Sequence, residues 1–237
     1  MKVRIIIPAR LDSSRFPKKL IKMINGKTLI EHVCLRAKKL KPDSLVVATD
    51  SVVIKEIVEN NKIEVWYSKR KYNSGTERIA GLVKDYKFNK KDIIINIQGD
   101  EYNFSITGAK KLINYLRTSK TDDLATLIFR NINQKSYQNK NTVKVIIDKN
   151  NYAQYFSRSI IPFGSTPHTL CHIGIYAYRC SILHNYAKLK KCPEESIEKL
   201  EQLRFLWNCL PIKCIKININ NSVSINSPID LKLARKK

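Results

Sequence analysis

Two hydrophobic rhythms alternate along the chain. Short apolar runs of strand length stand at 5–7, 45–48, 63–66, 92–97 and 124–129. Between them apolar residues recur every three or four positions: Ile30, Val33, Cys34, Ala37 and Leu40; a stretch over about 52–60; Ile79, Leu82, Val83 and Tyr86; then Ile106, Ala109, Leu112, Ile113 and Leu116. The first rhythm predicts buried strands and the second amphipathic helices, so the opening half reads as strand–helix units of an α/β fold with a mostly parallel sheet. After residue 130 the pattern changes. Residues 139–148 and 151–158 alternate around the turn Asp148-Lys149-Asn150-Asn151, which is hairpin chemistry. Alternation over 172–179, a helix over 194–209 carrying Ile197, Leu200, Leu203, Leu206 and Trp207, a strand over 212–217 and a helix from Pro228 complete the pattern. The expectation is one domain over 1–237 with a smaller β-hairpin lobe inserted at about 130–215.

A chain of 237 residues can bury a sizeable core as one domain. With no apolar run of about 18 residues and no signal-peptide pattern, a soluble cytoplasmic protein without a membrane partner is expected. The six cysteines form no Cys-x-x-Cys pair and no metal-like cluster with the four histidines, which predicts reduced structural thiols. A net charge of +24 raises nucleic acid as a partner, yet the lysines are spread along the whole chain rather than gathered in a stripe. No nucleic acid partner is therefore expected, and the excess charge would instead collect small anionic substrates. The absence of Gly-x-Gly-x-x-Gly and of a Walker Gly-Lys-Ser/Thr segment disfavours a dinucleotide dehydrogenase and a P-loop ATPase.

Candidate chemistry sits where strands end. The run Ile5-Ile6-Ile7 stops at Pro8 and enters a loop carrying Arg10, Arg15, Lys18 and Lys19. At the carboxyl end of a sheet strand such a loop suits phosphate oxygens, with Ser13 and Ser14 letting the backbone approach; a solvated basic loop is the alternative. Asp100 follows the most strand-like run, within Gln98-Gly99-Asp100-Glu101. A carboxylate there suits a divalent cation, because Mg²⁺ takes oxygen ligands and bridges to phosphates; the alternative is a turn residue or a helix cap. Ser74 with Glu77 three residues on is a capping box, a sufficient structural explanation by itself. His172 beside alternating apolar residues fits a satisfied structural histidine, and residues 200–204 fit a solvated helix flank.

Taken together, the segments resemble the CMP-Kdo synthetases (3-deoxy-manno-octulosonate cytidylyltransferases), which activate a bacterial eight-carbon sugar acid with CTP. The resemblance runs from Ile5 to about Leu233. It rests on Ile-Pro-Ala-Arg ending at Arg10, Ser-Ser-Arg-Phe-Pro-x-Lys ending at Lys19, Asn25-Gly26-Lys27, Ser74-Gly75-Thr76-Glu77-Arg78 and Gln98-Gly99-Asp100-Glu101. Farther along it rests on Val143-Lys144-Val145, Tyr155-Phe156-Ser157-Arg158, His172-Ile173-Gly174-Ile175-Tyr176 and Leu200-Glu201-Gln202-Leu203-Arg204. The resemblance implies a Rossmann-like sheet of the nucleotide-diphospho-sugar transferase type, its hairpin lobe building the sugar-acid pocket and a dimer contact. It implies nucleotide contacts from Ala9, Arg10, Lys19, Ser74 and Gln98, with Arg10 and Lys19 on the triphosphate and Gln98 on the cytosine side. Asp100 is implied as the metal carboxylate, with Asn226 as second ligand, and Arg78, Arg158, His172, Tyr176, Glu201 and Gln202 as the sugar pocket. Lys144 is a further candidate for an anionic substrate, against exposed strand charge.

Several positions depart from the family pattern. Lys18 stands where the family has Gly, Lys71-Tyr72 where it has Asp-His, Tyr102 where it has Pro and Cys171 where a basic residue is usual. Asn226 replaces the family's second metal-binding Asp; its carbonyl oxygen can still meet Mg²⁺, but without charge. Asp230, four residues on in the terminal helix, is not expected to substitute. The implied reaction is CTP plus Kdo giving CMP-Kdo and diphosphate, for lipopolysaccharide synthesis, in a Mg²⁺-dependent homodimer. Three alternatives stay open: a nucleotidyltransferase for a related sugar acid, an impaired homologue acting as a binding protein, and a basic nucleic-acid-binding module.

Overall fold

A computed structural model of the chain describes residues 1–12, 16–131, 138–164, 169–218 and 224–236. Ser13, Ser14 and Arg15 of the cationic loop lie outside the described residues. In chain order the elements are β1 (Val3–Ala9), the ribbon β2 and β3 (Met23–Ile24, Lys27–Thr28), α1 (Leu29–Lys38), β4 (Ser44–Thr49), α2 (Val52–Asn60), β5 (Glu64–Tyr67), α3 (Gly75–Asp85), β6 (Ile93–Ile97), α4 (Ile106–Thr118) and β7 (Leu124–Arg130). There follow β8 (Lys144–Ile147), β9 (Ala153–Ser157), β10 (Leu170–Arg179), α5 (Cys180–Asn185), α6 (Pro193–Glu198), α7 (Leu203–Trp207), β11 (Lys213–Lys216) and α8 (Pro228–Arg235). No helix among the described residues is long and apolar enough to cross a membrane.

The central sheet has the order β11-β7-β10-β6-β1-β4-β5. β1 pairs in parallel with β4 and β6, β4 with β5, and β11 with β7; β10 alone runs antiparallel to its neighbours β6 and β7. Both faces are covered, which is why the strands are continuously apolar. Ile5 and Ile7 pack into one core with Val33, Leu112 and Leu231, while Ile6 between them enters the opposite core with Ile79, Leu183 and Phe205. Each such fully buried side chain contributes about 1.5 to 3 kcal/mol relative to exposure. After β1 the chain builds outward through β4 and β5, and β6 then pairs with the other side of β1. The carboxyl ends of β1 and β6 therefore flank the point where strand order reverses, the position at which open α/β sheets bind ligands.

The expected hairpin is β8–β9. Its turn is closed by Asp148, whose carboxylate accepts from the Asn150 and Tyr152 amides at 2.8 Å, with Asn151 at φ 62. Within 130–215, β10 and β11 are strands of the central sheet, and the hairpin is tied to it where Lys144 faces Cys171 and Tyr152 bridges to Lys213.

The continuous helix expected over 194–209 is corrected by the structure. Lys199 turns left-handed at φ 54 and separates α6 from α7, leaving Glu201 and Gln202 in the connection. Two interactions hold this break. Arg204 folds back to embrace the buried Glu195 with bonds of 2.7 and 2.8 Å, and Glu201 accepts the Thr76 amide of α3 at 2.9 Å. A straight helix would carry neither group to its partner.

Candidate active site

At the strand-order reversal three backbone segments meet. A Cβ on Gly75 would lie 3.3 Å from the Pro8 ring and 3.4 Å from the Gln98 amide, and one on Gly99 would lie 3.3 Å from the Pro8 carbonyl oxygen. Small residues at 75 and 99 let the end of β1, the start of α3 and the turn after β6 approach this closely. Ala9 is buried at the end of β1, Arg10 is exposed immediately beyond it, and Gln98 donates to Asn96 Oδ1 at 3.3 Å. Ser74 caps α3 by accepting the Glu77 amide at 3.1 Å. The reciprocal half of the expected capping box does not form. Glu77 instead accepts from the Asn73 amide and side chain and from Arg204, which joins α3 to α7.

Asp100 lies just past β6, and Lys19, buried at the short helical turn after the cationic loop, donates to its Oδ2 at 2.5 Å. The Asp100 carbonyl accepts the Ile225 amide at 2.9 Å, which brings the loop of Asn226 against the same turn. A cavity of about 530 Å³ opens beside them. Its lining includes Gln98, Asp100 and Asn226 together with Arg158, His172, Tyr176, Glu201 and Gln202. Ala9, Arg10, Lys19, Ser74 and Arg78 are not among its lining residues.

The lining is short of hydrogen-bond partners. Glu101 Oε2 and Gln202 Nε2 are buried without a hydrogen-bond partner among the described residues, and the Tyr176 hydroxyl has at best the crowded Thr126 hydroxyl, a concentration that calls for polar groups from a ligand. Burial, reinforced by the neighbouring Asp100 carboxylate, pushes the Glu101 carboxyl up to about 7. His172 is held neutral, its imidazole pushed down to about 3 by burial.

Other residues take roles that the sequence did not disclose. Arg78 is fully buried behind the site, donating to Asp50 at 2.5 Å from beneath the Tyr72 ring, with Nη1 unpartnered. Tyr72 occupies the space over Gly81, where a Cβ would come within 2.5 Å of its hydroxyl oxygen. Lys144 proves to be neither a substrate contact nor a surface charge: wholly buried, its ammonium donates to the carbonyls of Asn139, Thr142 and Arg158 at 3.1, 2.8 and 2.7 Å. It thereby secures the cavity wall. Arg158 braces the same wall through bonds to the carbonyls of Lys140, Glu198 and Lys199. Cys171 is buried outside the cavity against Asn131. Asp230 reaches the cavity rim, yet one of its oxygens is taken by the amides of Asn226 and Ser227 and the Ser227 hydroxyl. Glu101 lines the cavity although its motif pointed to Asp100 alone, and Thr126, one residue of the apolar run of β7, lies behind the wall against His172.

The cytidylyltransferase profile matches residues 4–214. The chain belongs to the cytidylyltransferase family. Curated relatives named 3-deoxy-manno-octulosonate cytidylyltransferase include one from Francisella tularensis subsp. holarctica, 38% identical over 99% of this chain and 97% of the relative. Another, from Wigglesworthia glossinidia brevipalpis, is 40% identical over 98% of each. Among solved structures, a CMP:2-keto-3-deoxy-manno-octonic acid synthetase complexed with CTP superposes with a TM-score of 0.90 at 32% identity, covering 100% of this chain and 98% of that one. A glucose-1-phosphate thymidylyltransferase structure from Bacillus anthracis shares the fold at a TM-score of 0.71 and 14% identity. For a cytidylyltransferase the arrangement is chemically apt. Hard oxygen donors from Asp100 and Asn226 face a cavity rich in unpartnered polar groups, with the cationic β1 loop at the strand-order reversal. Among the described residues no cluster of three carboxylates, imidazoles or thiols could hold a metal ion.

Proposed function

We propose that this cytidylyltransferase transfers CMP from CTP to 3-deoxy-manno-octulosonate, releasing diphosphate, with Mg²⁺ as the divalent ion. The observation that carries the reading is the cavity running from Asp100 and Asn226 to His172, Tyr176, Glu201 and Gln202, in a chain whose full-length relatives carry that activity in their names. Arg10 and Lys19 take the triphosphate, Ala9 and Ser74 line the nucleotide side, and Gln98, steadied by Asn96, meets the cytosine. Arg158, His172, Tyr176, Glu201 and Gln202 take the sugar acid, and Arg78 supports the site from behind Asp50.

Asp100 and Asn226 would hold the ion, which when bound polarises phosphate oxygens and offsets their charge. The chain's own part is positioning and electrostatics. The hydroxyl of the sugar acid that attacks the α-phosphorus is fixed by the unpartnered polar atoms of the cavity, and departing diphosphate meets Arg10 and Lys19. The reaction belongs in the cytoplasm, a reading supported by six free thiols. It runs in a homodimer, supported by the exposed apolar side chains of Ile160 and Phe163 beyond the hairpin; Phe163→Glu should lower the sedimentation coefficient, and no change would remove this contact.

Incubation of the protein with CTP, Mg²⁺ and a panel of sugar acids tests the reading. CMP transfer to 3-deoxy-manno-octulosonate is expected; transfer only to another acid would move the specificity. A second reading, a chain that binds CTP without transferring it, is favoured by the uncharged Asn226. It would be upheld by CTP binding without diphosphate release in the presence of every acid.

A further inference from the structure

Strand β10 breaks register against β7 between Ile173 and Tyr176, next to the cavity. A bulge of this kind turns backbone carbonyls away from the ladder, and they need other donors. Thr126 of β7, fully buried, supplies one: its Oγ1 lies 2.8 Å from the Ile175 carbonyl oxygen and 3.3 Å from that of Ile173. The same Oγ1 lies 3.0 Å from His172 Nε2.

These contacts fix where the protons are. A threonine hydroxyl has a single hydrogen and two lone pairs, and a carbonyl oxygen can only accept. The shortest contact, to the Ile175 carbonyl, takes the hydroxyl hydrogen in preference to the longer ones, which leaves Thr126 to accept from His172. Nε2 must carry the ring hydrogen, and a neutral ring then has a bare lone pair at Nδ1. Nδ1 makes no hydrogen bond to a described residue, while His172 lines the cavity. The buried Tyr176 hydroxyl lies opposite Thr126 across the two strands, within reach of the same hydroxyl.

We propose that Thr126 is a positioning residue that locks His172 as the Nε2–H tautomer, so that the cavity offers an acceptor at Nδ1 and selects a hydroxyl or ammonium donor there over a carboxylate oxygen. A carboxylate at Nδ1 would set lone pair against lone pair. The choice between hydroxyl and carboxylate in this part of the pocket is thus made by a threonine that has no need to touch the substrate. The kinetic half of this proposal rests on the sugar-acid reading above; the tautomer half does not.

The test uses the full chain labelled with ¹⁵N, the His172 signals being identified by their loss in His172→Gln. Long-range ¹H–¹⁵N correlation at neutral pH should show one neutral Nε2–H tautomer in the unmodified protein and in Thr126→Ser. Thr126→Val should lose that single tautomer and raise KM for the sugar acid about tenfold, as expected for loss of one hydrogen bond in the site, with KM for CTP unchanged. Thr126→Ser should restore both. An Nδ1–H tautomer in the unmodified protein overturns the proposal, as does a Thr126→Val protein that keeps both tautomer and KM. If Thr126→Val does not fold, the unmodified protein and Thr126→Ser decide on the spectrum. If no sugar acid is activated, the functional reading fails while the spectrum still decides the tautomer.

Discussion

Lys19 Nζ lies 2.5 Å from Asp100 Oδ2, so the carboxylate proposed to hold the metal already has a cation against it. The ammonium and a divalent ion compete for the same oxygens, yet both are wanted once a triphosphate arrives, since its charge exceeds what either can balance. Lys19→Met is therefore expected to act in opposite directions on two measurements. In nucleotide-free protein it should tighten Mn²⁺ binding, read by titration, and in turnover it should raise KM for CTP. Weaker Mn²⁺ binding in that variant would show that Lys19 does not compete with the ion.

Asn226 sits in the loop that the Ile225 amide pins to Asp100, and its own amide donates to Asp230 at 2.9 Å. Asn226→Asp adds a charged oxygen donor to the metal end of the cavity, and cation affinity rises with ligand charge. The Mg²⁺ concentration for half-maximal activity should fall several-fold. The same substitution places a second carboxylate beside Asp230, so the thermal midpoint without Mg²⁺ should fall and be recovered when Mg²⁺ and CTP are added. An unchanged or higher Mg²⁺ requirement would show that position 226 is not at the ion.

Glu101 gives the pH dependence its sign. Burial and the adjacent Asp100 raise its carboxyl from 4.5 to about 7 in the folded chain. Below pH 4.5 both states hold the proton and no linkage arises. Between about pH 4.5 and pH 7 only the unfolded chain releases it, so folding loses about 3 kcal/mol across that window and no more above it. Glu101→Gln removes this titration. Its stability gain over the unmodified protein, measured by denaturant unfolding without metal, should grow from pH 4.5 to pH 7 and then level. A gain independent of pH would mean that Glu101 titrates normally.

Among the described residues several helices end on residues other than glycine where glycine is usual. After α2 the Lys62 amide donates to Glu59 and the Ile63 amide to Val58; after α3 Lys87 and Phe88 repeat the pattern; after α7 Cys209 and Leu210 do so. Lys62, Lys87 and Cys209 accordingly have φ of 53, 49 and 56. Glycine there relieves about 1 to 2 kcal/mol of left-handed strain and returns part of it through a looser unfolded chain. Lys62→Gly and Lys87→Gly should each stabilise by about 0.5 to 1 kcal/mol in denaturant unfolding. Lys18, at φ 53 in the β1 loop, follows the same rule. A loss of stability in all three variants would show that contacts of the lysine stems outweigh the backbone term.

These lysines also explain what the sequence concealed. Strands 5–7, 45–48 and 92–97 were legible because burial on both faces makes them apolar throughout, and α1 to α4 because one face repeats every three to four residues. Helix ends were not, since only seven glycines are present and lysine takes their place. The break at Lys199 was hidden for that reason, and with it the way Glu201 turns to α3 while Arg204 turns to Glu195. Lys144 misled as a charge in an alternating strand, because nothing local reveals that three carbonyls surround its ammonium. Thr126 gave no signal at all: in sequence it is one β-branched residue in an apolar run, and its role exists only once the β10 bulge is folded against it.

Release of diphosphate from CTP, followed in the presence of Mg²⁺ and 3-deoxy-manno-octulosonate, bears most directly on the proposal that Asp100 holds the ion at the reacting phosphate. The unmodified protein should release it only when the sugar acid is present. Asp100→Ala should abolish release, by at least about a hundredfold, while retaining the fold by circular dichroism. Release at an undiminished rate in Asp100→Ala, or release from the unmodified protein that does not depend on the sugar acid, would contradict it.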